Sequence, residues 1–154
     1  MEKLLDSLGF FGPQILFIVT IILLWKHHIY WYGYLVFFVV SSLINKIIKI
    51  TIKQRRPNNG KSILENEEKY YSGMEQYGMP SGHIQSCLYS ITYLYLVKPS
   101  PIILLFELFI ACLTFYQRWK YNRHTIEQLL VGSVVGIMVG YVSFITVKRY
   151  WKIQ

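Results

Sequence analysis

The chain has 154 residues, 53% of them hydrophobic and 17% aromatic, and its 16 basic and 8 acidic residues give a formal charge of +8. Lys, Arg, Asp and Glu are missing from 7–25, 27–45, 76–97 and 128–147, and 99–117 holds only Glu107, which leaves too little polar chain for a soluble domain. The basic residues flank apolar runs, so lipid headgroups and phosphate are the partners to expect, and nucleic acid is not.

A helical crossing takes about 20 mostly apolar residues. The uncharged runs therefore predict an all-α, polytopic membrane helical bundle of about five transmembrane helices, with 1–154 forming a single domain. The first run has the apolar core of a signal peptide, but Glu2 and Asp6 offset Lys3 and no small-x-small cleavage site precedes Trp25-Lys26-His27, so a retained span is expected. Gly9, Gly12 and Pro13 lie early in it. Tyr30-Trp31-Tyr32 suits the membrane–water boundary where the second span opens, with His27 and His28 interfacial beside it. That span runs to about Asn45 and continues as a helix carrying Lys46, Lys49 and Lys53 outward.

Residues 57–75 form the one long polar loop, opened by the turn Pro57-Asn58-Asn59-Gly60, with Glu65, Glu67, Glu68 and Lys69 on a short surface helix. Lys98-Pro99-Ser100-Pro101 joins the third and fourth spans, and Arg118 to Arg123 joins the fourth and fifth. Cys87 and Cys112 fall inside spans, match no metal spacing and read as buried, inert thiols. Glu107 is an ionisable group in mid-span, costly there, and is assigned a structural role.

With five spans, the loop 46–80, the link 118–124 and the N-terminus share one side of the membrane. Three motifs then meet on that side: Lys49-x6-Arg56-Pro57, Pro80-Ser81-Gly82-His83 and Arg118-x5-His124. Three cations match the charge of a phosphoryl group in transfer, and two histidines match a nucleophile plus a general acid. Lys49 and Arg56 are two helical turns apart and share a face if the helix reaches Arg55. By residue type alone Lys46, Lys53 and Arg55 are equally eligible, and an ordinary basic membrane flank accounts for the segment; only the other motifs single out Lys49 and Arg56. Pro80 suits the first turn of a helix whose free N–H groups make an anion site, with Gly82 allowing close approach, Ser81 adding a hydroxyl and His83 donating a proton.

The order and spacing of these motifs resemble the type 2 phosphatidic acid phosphatase superfamily, which also includes vanadium-dependent haloperoxidases, over roughly residues 29–140. Tyr77-Gly78-Met79-Pro80-Ser81 before His83, and His124-Thr125-Ile126-Glu127-Gln128, are most similar to the dolichyl-diphosphate phosphatase branch. That branch usually has Ser where Gly82 stands, whereas Gly matches the wider superfamily. The resemblance implies an integral membrane phosphatase that hydrolyses a polyprenyl diphosphate to the monophosphate, without metal or other cofactor. It implies the endoplasmic reticulum membrane, with a bacterial or viral one left open. Lys49, Arg56 and Arg118, with Ser81 and Gly82, would hold the phosphate; His124 would form a phosphohistidine and His83 would protonate the leaving group. Most of the superfamily orients the nucleophile with an Asp four residues on. Here Gln128 occupies that place, one turn along, with Glu127 less well aligned, and Asp at 128 is expected to be tolerated. The rival readings are a lipid-monophosphate phosphatase and a catalytically silent membrane scaffold.

Overall fold

A computed structural model describes residues 2–61 and 72–150. Six α-helices account for most of them: α1 (Glu2–Phe10), α2 (Gly12–Leu24), α3 (His28–Ile52), α4 (Gly82–Val97), α5 (Pro101–Lys120) and α6 (Ile126–Tyr150). The surface helix expected around Glu65 to Lys69 lies outside the described residues.

The first span is not the continuous rod that its uncharged run suggests. It bends by 62° between α1 and α2. Pro13 sits in the first turn of α2, where its missing N–H costs no helical hydrogen bond. The bend is also packed: a side chain at Gly9 or Gly12 would run into the Leu113 carbonyl or Thr114 of α5. Lys120 Nζ donates to Glu2 Oε1 (2.8 Å) and to Asp6 Oδ2 (2.9 Å), and the Tyr121 hydroxyl donates to Asp6 Oδ2 (2.9 Å), fastening α1 to the end of α5.

Among the described residues, α3, α5 and α6 are long and apolar enough to cross a membrane, and the bent α1–α2 pair brings the number to as many as four. The remaining rod, α4, has 16 residues, about 24 Å of helix at 1.5 Å per residue. It packs against α2, α3, α5 and α6 at the centre of the bundle. Its contact with α6 is close because Gly132, Gly136 and Gly140 fall four apart on one face; a Cβ at Gly132 would lie 2.7 Å from the Ser81 carbonyl oxygen, and one at Gly140 would lie 3.0 Å from that of Tyr89. Outward faces carry exposed Val36, Val39, Leu43, Ile102, Leu105, Val134 and Met138, an apolar belt suited to lipid. The protein is an integral membrane protein.

The half of the bundle away from the motifs is aromatic. Tyr89 stacks on both Tyr34 and Tyr93, and the hydroxyls of Tyr34, Tyr89 and Tyr93 bond to Ser90 (2.7 Å), the Tyr34 carbonyl (2.9 Å) and the Tyr30 carbonyl (2.9 Å). Glu107 faces this interior and is buried; Cys87 is buried too, whereas Cys112 is exposed on the outer face of α5, contrary to its expected burial. At the other end, the α1–α2 bend, the end of α3, the start of α4 and the α5–α6 link come together.

Candidate active site

Arg56 reaches the site by a route the helical spacing did not suggest. Helix α3 stops at Ile52, because Lys53 turns left-handed with φ 53°, so Lys49 and Arg56 share no helical face. Instead residues 54–56 run extended beside 76–78. The Arg56 N–H donates to Gln76 O and the Gly78 N–H to Gln54 O, both at 2.9 Å, around an antiparallel bridge between Arg55 and Tyr77. This short ladder ties the loop to the end of α3. The Arg56 guanidinium then donates through Nε to Glu75 O (2.8 Å) and through Nη1 to Arg123 O (2.9 Å).

Helix α4 opens at Gly82, two residues after Pro80. Ser81 precedes its first turn, so Pro80 lies outside the helix rather than within the turn. The Ser81 N–H donates to Gln128 O (2.9 Å), and its buried Oγ has no hydrogen-bond partner among the described residues. The N–H groups of Gly82, His83 and Ile84 belong to the first turn and lack helical acceptors. A Cβ at Gly82 would meet nothing nearer than Asn45 Oδ1 at 3.5 Å, so a Ser there fits.

His124 is 3% exposed and held from both sides. Its Nδ1 lies 3.2 Å from Gln128 Oε1, and its Nε2 lies 2.8 Å from Arg56 Nη1. The Gln128 amide is itself fixed: Nε2 donates to Arg55 O (2.9 Å) and Gln54 Oε1 (3.1 Å), and Oε1 accepts from the Thr125 N–H (3.3 Å). Because a carbonyl such as Arg55 O can only accept, the amide NH₂ must face it, and Oε1 must face His124. The ring therefore carries its proton on Nδ1. A guanidinium can only donate, which leaves Nε2 as a lone pair. Burial, then Arg56, Lys49 and Arg118, hold the His124 pKa well below its usual 6.5, so the ring is neutral. Glu127, on the same turn, is exposed.

The Gln128 network also changes the expectation for Asp at this position. A carboxylate can orient Nδ1 but cannot donate to Arg55 O or Gln54 Oε1, so the substitution removes two of the bonds that tie the ladder to α6.

His124 opens into a cavity of about 390 Å³ lined by Lys46, Lys49, Arg56, Met74, Glu75, Gly82, His83, Arg123 and His124. Four basic side chains against one acidic make it an anion site. His83 is half-buried, with the Phe10 ring 6.3 Å away. Arg118 and Ser81 do not line the cavity. Arg118 is 2% exposed, its guanidinium 5.0 Å from the Phe10 ring, and its carbonyl accepts from the N–H groups of Arg123 (2.9 Å) and His124 (3.3 Å). Of the equally eligible cations, Lys46 lines the cavity and Lys53 and Arg55 do not. Lys46 and Arg123 were not singled out by any motif; only the folded path of the chain brings them here.

Known proteins of the same build give this geometry a context. Over 99% of its length the chain superimposes on 77% of a transmembrane PAP2-type phosphatidylglycerolphosphate phosphatase from Bacillus subtilis, with a TM-score of 0.70 at 21% identity, a likeness of fold. It is 28% identical over 123 residues to Dolichyldiphosphatase 1 of Dictyostelium discoideum, covering 73% of this chain and 50% of that protein. It is also 28% identical over 113 residues to lipid phosphate phosphatase gamma of Arabidopsis thaliana, covering 66% and 46%. The chain thus spans about half the length of the curated relatives it matches. A sequence profile of the PAP2 superfamily matches residues 30–152, from the start of α3 through all the cavity-lining residues to the end of α6, and by that match the chain belongs to the PAP2 superfamily.

Proposed function

We propose that this chain is a metal-independent membrane phosphatase that removes the terminal phosphate of a polyprenyl, dolichyl-type diphosphate through a phosphohistidine. The observation that carries the reading is the fixed tautomer of His124, which leaves Nε2 unprotonated and facing Arg56 Nη1 on the wall of a cation-lined cavity. Lys49 and Arg56 neutralise the phosphoryl oxygens from the cavity wall, the first-turn N–H groups of α4 at Gly82 and His83 donate to them, and Ser81 seats that turn against α6. Arg118 adds positive charge from behind. Arg56 Nη1 turns from Nε2 to a phosphoryl oxygen and frees the lone pair. Nε2 attacks phosphorus, the bond to the bridging oxygen breaks, and His83, entering as imidazolium, gives that oxygen its proton and becomes neutral, releasing the lipid monophosphate. Water then attacks the phosphohistidine, His83 takes the water's proton, and inorganic phosphate leaves. Gln128 holds the Nδ1 proton throughout. Among the described residues no three His, Cys, Asp or Glu side chains cluster to hold a metal. The Dictyostelium relative supports the dolichyl substrate and, through it, the endoplasmic reticulum membrane.

A lipid-monophosphate substrate is the second reading, supported by the equal identity to the Arabidopsis relative. Phosphate release from polyprenyl diphosphate, polyprenyl monophosphate and phosphatidate, measured in EDTA, separates the readings. Hydrolysis fastest on the diphosphate and blocked by vanadate, which copies the five-coordinate transition state, is expected. Strict dependence on added divalent metal rules out the metal-free mechanism, and no release from any lipid leaves the scaffold reading.

A further inference from the structure

A second cavity, of about 320 Å³, adjoins the first and shares Lys46, Lys49, Gly82 and His83 with it. Its other walls are Pro13 and Gln14 at the start of α2, Ser42 and Asn45 on α3, and Gln85 and Ser86 on α4. Ser42, Asn45, Lys46 and Lys49 fall at i, i+3, i+4 and i+7, one face of α3. The slot therefore runs from the phosphate cavity into the uncharged stretch 27–45, the direction a lipid tail must take. Its polar wall is built rather than incidental: Asn45 Nδ2 donates to Gln85 Oε1 (2.7 Å), and Gln85 Nε2 donates to Ser41 O (2.8 Å).

Resting on the phosphatase reading, we infer that this slot is a subsite for the proximal phosphate of a lipid diphosphate, with Lys46 as its cation and the determinant of diphosphate over monophosphate. Lys46 lies three residues from Lys49, about 4.5 Å of helix rise, so the two ammonium groups follow one another along the path of a diphosphate. Hydrolysis of a diphosphate leaves a charged phosphomonoester, whereas a lipid monophosphate leaves a neutral alcohol. A cation at the slot mouth assists only the first. A basic membrane flank would also place lysines here, but Lys53, equally basic, borders neither cavity.

The experiment compares kcat/KM for a polyprenyl diphosphate and the monophosphate of the same chain length in mixed micelles, for wild type, Lys46→Gln, Lys46→Arg and Lys53→Gln. Lys46→Gln is expected to lose about 10- to 100-fold on the diphosphate, the scale of a lost charged hydrogen bond, and little on the monophosphate. Lys46→Arg should keep the preference and Lys53→Gln should match wild type. Equal loss on both lipids, or none on the diphosphate, overturns the assignment. If wild type hydrolyses neither lipid, the phosphatase reading fails instead. Titration with pyrophosphate and orthophosphate then still decides the subsite: Lys46→Gln must weaken only pyrophosphate binding, and unchanged pyrophosphate binding overturns it.

Discussion

His124, in the α5–α6 link, is held at Nδ1 by Gln128 and at Nε2 by Arg56, whereas among the described residues no group hydrogen-bonds the ring of His83, half-buried at the start of α4. The two rings face one cavity, so the difference is not one of location. A nucleophile needs one lone pair, of known direction, at rest. A residue that gives a proton to one oxygen and takes one from another needs to reach two positions and to exchange with water. On the proposed mechanism the link region suits the first task and the helix start the second.

The largest expected effect separates the two directly. His124→Ala should abolish phosphate release, while His83→Ala should lower it by about 10² to 10⁴. An aryl phosphate, whose leaving group needs no proton, should restore a burst of aryl alcohol in His83→Ala, with slow turnover after it because the second step still lacks its base, and none in His124→Ala. A fully active His124→Ala protein would falsify the assignment of nucleophile, and absence of an aryl-alcohol burst in His83→Ala would remove the proton-donor role.

Next in size is the orienting contact. Gln128→Ala should lower kcat about 10- to 100-fold in a folded protein, because His124 Nδ1–H and Arg55 O both lose a partner. Gln128→Asp should also lose activity, since it keeps an acceptor but neither donated bond. Glu127→Ala, on the exposed face, should match wild type. A neutral Gln128→Ala with an inactive Glu127→Ala would reassign the partner.

The smallest effect is a shift in pH profile. His124 must be neutral to attack, and burial with its neighbouring cations holds its pKa below 6.5. Falling pH protonates the ring only below that value, so the acid limb of kcat/KM should lie under pH 6.5. Lys49→Gln removes one of those cations, raises the pKa and should move the limb upward, at reduced activity. An unmoved limb in the pH–rate profile would show that Lys49 does not act on His124.

Part of this was legible in the chain itself. Long uncharged runs specify helices in lipid whatever their packing, since backbone polar groups there have only each other to bond. His124 and Gln128 sit four apart on a rigid helix start, so local geometry alone brings them into contact. The end of α3 is not legible, for the converse reason: nothing in Lys53 to Arg56 announces a left-handed turn, and the pairing of 54–56 with 76–78 depends on residues more than a helix's length away along the chain.

The sequence alone determined the membrane environment, the all-helical class and the residue types of the site, because hydropathy and charge act over neighbouring residues. Tertiary structure alone decided which further cations line the cavity. Lys46 and Arg123 line the cavity while Lys53 and Arg55 do not, although all four are basic and lie near a motif. It also decided the bend of the first span and the close seat of α4 on Gly132, Gly136 and Gly140. These depend on which backbone passes within a few ångströms of which side chain, and separation along the chain carries no record of that.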